Sequence, residues 1–260
     1  MTHARLAPLL SETDGPPVEV LNPSGKARLV LVCEHASPVI PEALGNLGLA
    51  AGDRMSHAVW DPGAFDLALA LSDRLNAPLV AARFSRLAYD CNRPPEAASS
   101  MPAQSERITV PGNANLTSAQ RNQRSAALYD PFHAALADQI ARMNHPAIVT
   151  VHSFTPVFHG APRTVELGVL FDPRDERLGR ALLSAPGNPL RTEANAPYGP
   201  GDGVLHTLER HALAQNLPNA MLEIRNDLLK NAADIARIAD VIEVLLAHGL
   251  DQTPAKGHPA

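Results

Sequence analysis

Five short apolar runs constrain this chain most: ARLVLVC (27–33), PLVAARF (78–84), AIVTVHS (147–153), VELGVLF (165–171) and AMLEIR (220–225). None alternates with polar residues as a half-exposed strand would, so each reads as a strand buried on both faces. Stretches of helical period lie between most of them. Pro62 to Asn76 places Phe65, Leu69, Leu71 and Leu75 on an apolar face. The stretch 117–144 opens on Thr117-Ser-Ala-Gln120, a capping-box sequence, and repeats Leu128, Phe132, Leu136 and Ile140 at every fourth position. Further helices are predicted over 173–184, 204–216 and 231–248. This alternation predicts a three-layer α/β/α fold with a mainly parallel or mixed central sheet. At 260 residues the chain suits one domain over 1–260, with a core from about 28 to 248, polar termini and a frayed end after Leu250. The proline-rich segment 94–116 is long for a crossover, which predicts a functional or disordered loop.

Charge and cysteine content narrow the partners. The balance of 22 basic against 27 acidic residues leaves a net charge of −5, with no excess to hold nucleic acid or an anionic membrane. Cys33 and Cys91 are far apart and form neither a disulfide framework nor a zinc knuckle, which fits a reducing compartment. With neither a signal-like leader nor a run of roughly 20 apolar residues, the expected location is cytoplasmic.

In open α/β sheets ligands collect beyond the carboxyl ends of the strands. Reactive residues crowd there: Glu34-His35 after the first run, Ser85 to Arg93 after the second, His152-Ser153 in the third, and Glu223 and Arg225 within the last. Two histidines at neighbouring strand ends are compatible with a shared metal. Asp61, before Pro62, reads either as a helix cap or as a metal ligand, and His57 as structural or adjacent to the metal. Glu223 and Arg225 share one face of their strand while Leu222 and Ile224 take the other. A carboxylate there either pairs with the arginine or serves as a general base near a metal-bound water. Asn92-Arg93 suits a substrate carboxylate, because a guanidinium binds one through two parallel hydrogen bonds. Gly199-Pro-Gly201-Asp-Gly203 reads as a flexible turn. Two other functions stay open: a metal-free amidase using Cys33 or Ser153, and a non-catalytic domain that binds an amino-acid-like ligand.

Taken in order, C-E-H-A-S (33–37), H-A-V-W-D-P-G-A (57–64), F-S-R-L-A-Y-D-C-N-R-P (84–94), V-P-G-N (110–113), V-H-S-F-T-P-V (151–157), A-P-Y (196–198) and L-E-I-R-N-D-L (222–228) resemble the N-formylglutamate amidohydrolase family. The resemblance implies a zinc hydrolase similar in fold to zinc carboxypeptidases and aminoacylase-like deacylases. It implies His35 and His152 as Zn2+ ligands, with Asp61 as the third and Glu34 as the alternative. Glu223 would be the base, with Arg225 beside it for the oxyanion. Asn92 and Arg93 would anchor a carboxylate, with Arg86, Arg225 or the loop around Arg107 left open for a second. The implied substrate is a small N-acyl amino acid such as N-formylglutamate, the implied setting amino-acid metabolism and histidine degradation. The chain departs from the carboxypeptidase H-x-x-E pattern, since Pro38 stands three residues after His35, and from close members at Glu106-Arg-Ile-Thr109.

Overall fold

The computed structural model describes residues 7–253. Its elements, in chain order, are β1 (Val18–Leu21), β2 (Leu29–Cys33), α1 (Ala64–Leu75), β3 (Leu79–Ala82), the hairpin of β4 (Gln104–Ser105) and β5 (Ile108–Thr109), α2 (Ser118–Arg124), α3 (Asp130–Ala141), β6 (Ala147–Phe154), the hairpin of β7 (Val157–Phe158) and β8 (Ala161–Pro162), β9 (Leu167–Leu170), α4 (Arg177–Leu183), β10 (Thr192–Ala194), α5 (His206–His211), β11 (Asn219–Arg225) and α6 (Ala232–Gln252).

The central sheet is mixed, in the order β1-β3-β2-β6-β11-β9-β10. β3, β2, β6 and β11 run parallel at its centre; β1 is antiparallel to β3, and β9 to β11. All residues of β2, β3, β6 and β9 are buried, which is why their sequences are mostly apolar, with Thr150, His152 and Ser153 of β6 the polar exceptions. Side-chain alternation divides the core in two. Leu29, Leu31, Val149, Val151, Leu222 and Ile224 pack under α1, α4 and α6. Val30, Val32, Ile148 and Met221 pack under α3 and α5. No helix among the described residues is long and apolar enough to cross a membrane.

Three expectations change in detail. The short edge strands β1 and β10 were not evident in the sequence, because both are only partly buried and lack the continuous apolar signal. The helix expected over 117–144 begins with the predicted capping box at Thr117, but a π-helical turn over Ser125–Tyr129 interrupts it just before Asp130-Pro131. Proline cannot donate to the preceding turn and its ring crowds that turn's carbonyl, so the ladder widens there. At the other end, α6 continues past Leu250 to Gln252, and Arg28 donates to the carbonyls of Leu250 at 2.6 Å and Thr253 at 2.8 Å. The rest of the expected frayed tail, 254–260, lies outside the described residues.

Candidate active site

The carboxyl ends of the parallel strands open into a cavity of about 580 Å³, lined among others by His35, Asp61, Arg86, Arg93, His152, Arg163, Tyr198 and Glu223. β6 and β11 pair in a register that sets His152 beside Glu223. The chain leaving β2 brings in Glu34 and His35, and the His35 carbonyl accepts the Asp61 amide at 3.0 Å. Asp61 does not cap α1 with its side chain, because that helix starts at Ala64 with Gly63 as its cap. Gly63 has φ +79°, and a Cβ there would lie 2.5 Å from the Leu229 Cβ, so glycine is what lets the helix begin this close to β11's exit.

Three donor atoms converge. His35 Nδ1 and His152 Nδ1 lie 3.2 Å apart, and Asp61 Oδ2 is 3.1 Å from the first and 2.9 Å from the second. Each ring has a carboxylate at its far nitrogen: His35 Nε2 is 2.8 Å from Asp90 Oδ1, and His152 Nε2 is 3.1 Å from Glu34 Oε2. The last contact is off line, so it acts as an ion contact more than as an aligned hydrogen bond. Glu34 therefore stands behind His152 and not among the converging atoms. Arg86 closes the outer side, 3.4 Å from Asp61 and 2.9 Å from Asp90.

Protonation follows from this arrangement. Burial alone would raise the carboxyl pKa values, but His35 and Arg86 hold Asp90 well below the usual range, and His152 keeps Glu34 lowered. An ionised carboxylate only accepts, so the bond to Asp90 places the His35 proton on Nε2, and the negative charge of Glu34 beside His152 Nε2 favours the same tautomer there; both Nδ1 lone pairs then turn inward. Two lone pairs and a carboxylate oxygen then face one another at contact distance. A cation or an extra proton has to sit among them, and without a cation the proton settles on His152. Burial opposes that charge, yet Glu34 and Asp61 raise its pKa well above the ordinary value. The spacing of the three atoms approaches the ~3.3 Å expected between ligands about a tetrahedral ion with bonds of ~2.05 Å. The residues fit a metal: a buried His-Asp-His cluster able to hold one.

Glu223 is the fourth buried carboxyl group here. It has no hydrogen-bond partner at Oε2 among the described residues, and burial, partly offset by His152, pushes its pKa up to about 7. Its expected partner Arg225 is elsewhere: the guanidinium binds Asp227 at 2.7 Å, lies 3.6 Å from Glu166, and does not line the cavity. Strand alternation suggested a shared face, but β11 ends at Arg225 and the chain turns into a short 3₁₀ segment that carries Asp227 to it. Asn92 lines the cavity while its amide donates to the Val204 carbonyl and accepts from the Thr207 amide, fixing the approach to α5. Arg93 also lines it, with Nη1 donating to the Asn92 carbonyl at 2.8 Å.

Of the remaining candidates, His57 sits at the rim, bonded to Glu106 at 2.9 Å, so the expected loop 94–116 reaches the cavity through the turn between β4 and β5. The 199–203 segment forms a 3₁₀ turn closed by Asp202 accepting the Gly199 amide. Cys33 belongs to the apolar core beneath α1, and burial pushes its thiol far above its usual pKa, which leaves no thiolate nucleophile. Ser153 donates its hydroxyl to the Pro62 carbonyl at 2.8 Å. Several contributors had escaped the sequence reading: Asp90 behind His35, Arg163 and Tyr198 in the wall, and the buried pair Asn113–Arg124. Asn113 donates to the carbonyls of Leu87 and Pro102 and accepts from Arg124, so the V-P-G-N string braces the loop that carries Arg86 to Arg93.

The model of the N-formylglutamate amidohydrolase family matches residues 27–230. The chain belongs to that family. It is therefore a hydrolase acting on amides. Among solved structures, the gene product Atu2144 from Agrobacterium tumefaciens is 48% identical, covers 94% of this chain and 99% of its own, and superposes with a TM-score of 0.92. An N-formylglutamate amidohydrolase from Ralstonia eutropha JMP134 shares the fold at 19% identity, covering 90% and 97% of the two chains with a TM-score of 0.64. No curated protein matches the chain.

Proposed function

We propose that the chain is a zinc-dependent amidohydrolase that removes the N-formyl group from an acidic amino acid such as N-formylglutamate. The observation that carries this reading is the convergence of two Nδ1 lone pairs and Asp61 Oδ2 beside an unpartnered, buried Glu223. His35, Asp61 and His152 would hold the metal, which when bound supplies a Lewis acid and lowers the pKa of its water towards ~7. Glu223 takes the proton of the attacking water and returns it to the departing amino nitrogen. Burial makes its carboxyl group easier to protonate than an exposed one, which suits both halves of that task. Arg86, in the cavity wall and anchored by Asp61 and Asp90, takes the oxyanion role first given to Arg225. Arg93 and the rest of the Asn92 edge receive the substrate's α-carboxylate. Metal analysis of the purified protein beside a formyl-release assay tests the reading. Stoichiometric zinc with chelator-sensitive release of formate from N-formyl-L-glutamate is expected, whereas full activity without metal would overturn it.

A further inference from the structure

Resting on that function, the substrate of this cavity carries two carboxylates, one of them on its side chain. Three arginines line the cavity, and they differ in what they touch. Arg86 already pairs with two carboxylates of the protein, Asp61 and Asp90, which hold it beside the converging atoms. Arg93 and Arg163 have no carboxylate within ion-pair distance among the described residues, although Asp61, Glu106, Asp202 and Glu223 line the same space. Arg107, on the turn between β4 and β5, is exposed and outside the cavity.

Arg163 is held as a fixed receptor. It follows the hairpin of β7 and β8, and its amide donates to the Pro156 carbonyl at 2.8 Å. Its guanidinium carbon lies 4.3 Å from the Phe158 ring centre, 5.0 Å from that of Tyr198 and 5.5 Å from that of Phe154. Only Nη1 is engaged, weakly, with the Thr155 carbonyl at 3.4 Å and the Tyr198 hydroxyl at 3.3 Å. Stacking on aromatic faces fixes the plane of a guanidinium while leaving its edge donors free. From outside, Arg225 donates to the carbonyls of Arg163 at 3.3 Å and Thr164 at 3.5 Å, steadying the hairpin. A guanidinium without an anion, in a cavity with a second such arginine, fits a ligand carrying two carboxylates.

We propose that Arg163 binds the side-chain carboxylate of the substrate, while Arg93 binds the α-carboxylate, so that Arg163 sets the preference for an acidic over a neutral side chain. The test compares kcat/KM for N-formyl-L-glutamate and N-formyl-L-glutamine, which differ only in that carboxylate. Arg163→Met should lower the glutamate-to-glutamine ratio about 10- to 100-fold, mainly through KM, with Arg163→Lys falling between. Arg93→Met should lower both substrates alike, because both carry the α-carboxylate. Melting temperature and bound metal measured on each variant separate recognition from misfolding, and Phe158→Leu, which leaves the charge in place but removes the main stack, should lower the ratio less than Arg163→Met. An equal loss on both substrates in a folded, metal-loaded Arg163→Met protein overturns the assignment. If the wild type hydrolyses neither substrate, the proposed function fails by itself; calorimetric binding of L-glutamate against L-glutamine then decides the role of Arg163, and a preference that survives in Arg163→Met overturns it.

Discussion

Two clusters of buried histidines occupy the same side of the sheet and do opposite things. The first is His35 and His152 with Asp61, whose outer nitrogens meet Asp90 and Glu34. The second lies between α3 and α5. There His133 Nδ1 meets His211 Nε2 at 2.8 Å, their rings nearly parallel at 14°, and the Tyr129 hydroxyl meets His206 Nε2 at 2.8 Å. His133 Nε2 donates to the Cys91 carbonyl at 2.9 Å, so its Nδ1 accepts from His211 and both rings are neutral. Burial lowers His133 to about 3, with the neighbouring His211 adding to it, and His211 to about 4, with Arg210 and His206 adding to it. In the first cluster His152, also buried, is instead raised by Glu34 and Asp61. Burial therefore does not decide what a histidine does; the carboxylates around it do.

Breaking the first cluster should have the larger consequence for activity. His35→Ala or His152→Ala is expected to leave a folded protein that retains no stoichiometric metal and loses activity by roughly 10³-fold or more. His133→Phe should keep its metal and most of its turnover while melting at a lower temperature. Full metal occupancy in both alanine variants, measured by metal analysis, would dissolve the contrast between the clusters.

Glu223 tests the same cluster one step further out. Glu223→Gln preserves shape but cannot take a proton, so kcat should fall about 10² to 10⁴ while the metal stays bound. In the proposed role Glu223 must be ionised to act, and burial pushes its pKa up to about 7 in the metal-free site. Activity of the wild type should therefore rise with pH along an acid limb. A bound cation favours the carboxylate and moves that limb below 7, and the limb should vanish in Glu223→Gln. A variant that keeps wild-type turnover would return Glu223 to a structural role.

Asp90→Asn probes the carboxylate support that the second cluster lacks. An amide can still contact His35 Nε2 but no longer holds the proton there by charge, so metal affinity should weaken about 10- to 100-fold. Tyr129→Phe, which removes the corresponding polar support of His206, should leave metal affinity unchanged. Competition with a chelator of known affinity reads both.

The contrast also shows what a linear sequence can reveal. His152 and Glu223 stand in the ends of apolar runs, and parallel pairing alone sets them side by side, whereas His35 follows the end of β2 at Cys33, beyond the ladder, where continuing the register would have put Glu34 level with His152. Asp90 and Arg163 lie on loops, and their places depend on contacts that no local period encodes: Asp90 is held by the Ser100 carbonyl and the brace of Asn113 and Arg124, Arg163 by three aromatic rings. Arg225 was misplaced for a related reason. Arg225 is the last residue of the ladder, and Asp227 with the carbonyls of Arg163 and Thr164 draws its long side chain away from the Glu223 face. The family resemblance added order to motifs such as V-P-G-N, whose Asn113 has a bracing role that its spacing alone does not announce.

The second cluster makes a finer prediction, in acid stability instead of turnover. In the unfolded chain both histidines take up protons as pH falls through ~6.5, whereas in the folded protein His133 and His211 stay neutral down to about 3 and about 4. Across that window the unfolded state binds more protons, so stability must fall as pH drops, by up to ~1.4 kcal/mol per pH unit for each histidine. The first cluster, stripped of metal, slopes the other way: with its pKa raised in the folded protein, His152 contributes stability that is present in acid and lost as pH rises. Urea unfolding from pH 9 to 4 on wild type, His211→Gln and a chelated sample separates the two, because the His152 slope lies above ~6.5 and that of His133 and His211 below it. His211→Gln removes one of the buried neutral rings while keeping an amide donor within reach of His133, so its stability should decline less steeply with acid than that of the wild type. An acid profile for His211→Gln that overlays the wild type would show that these rings are already protonated in the folded state, and with that the opposition between the two clusters would disappear.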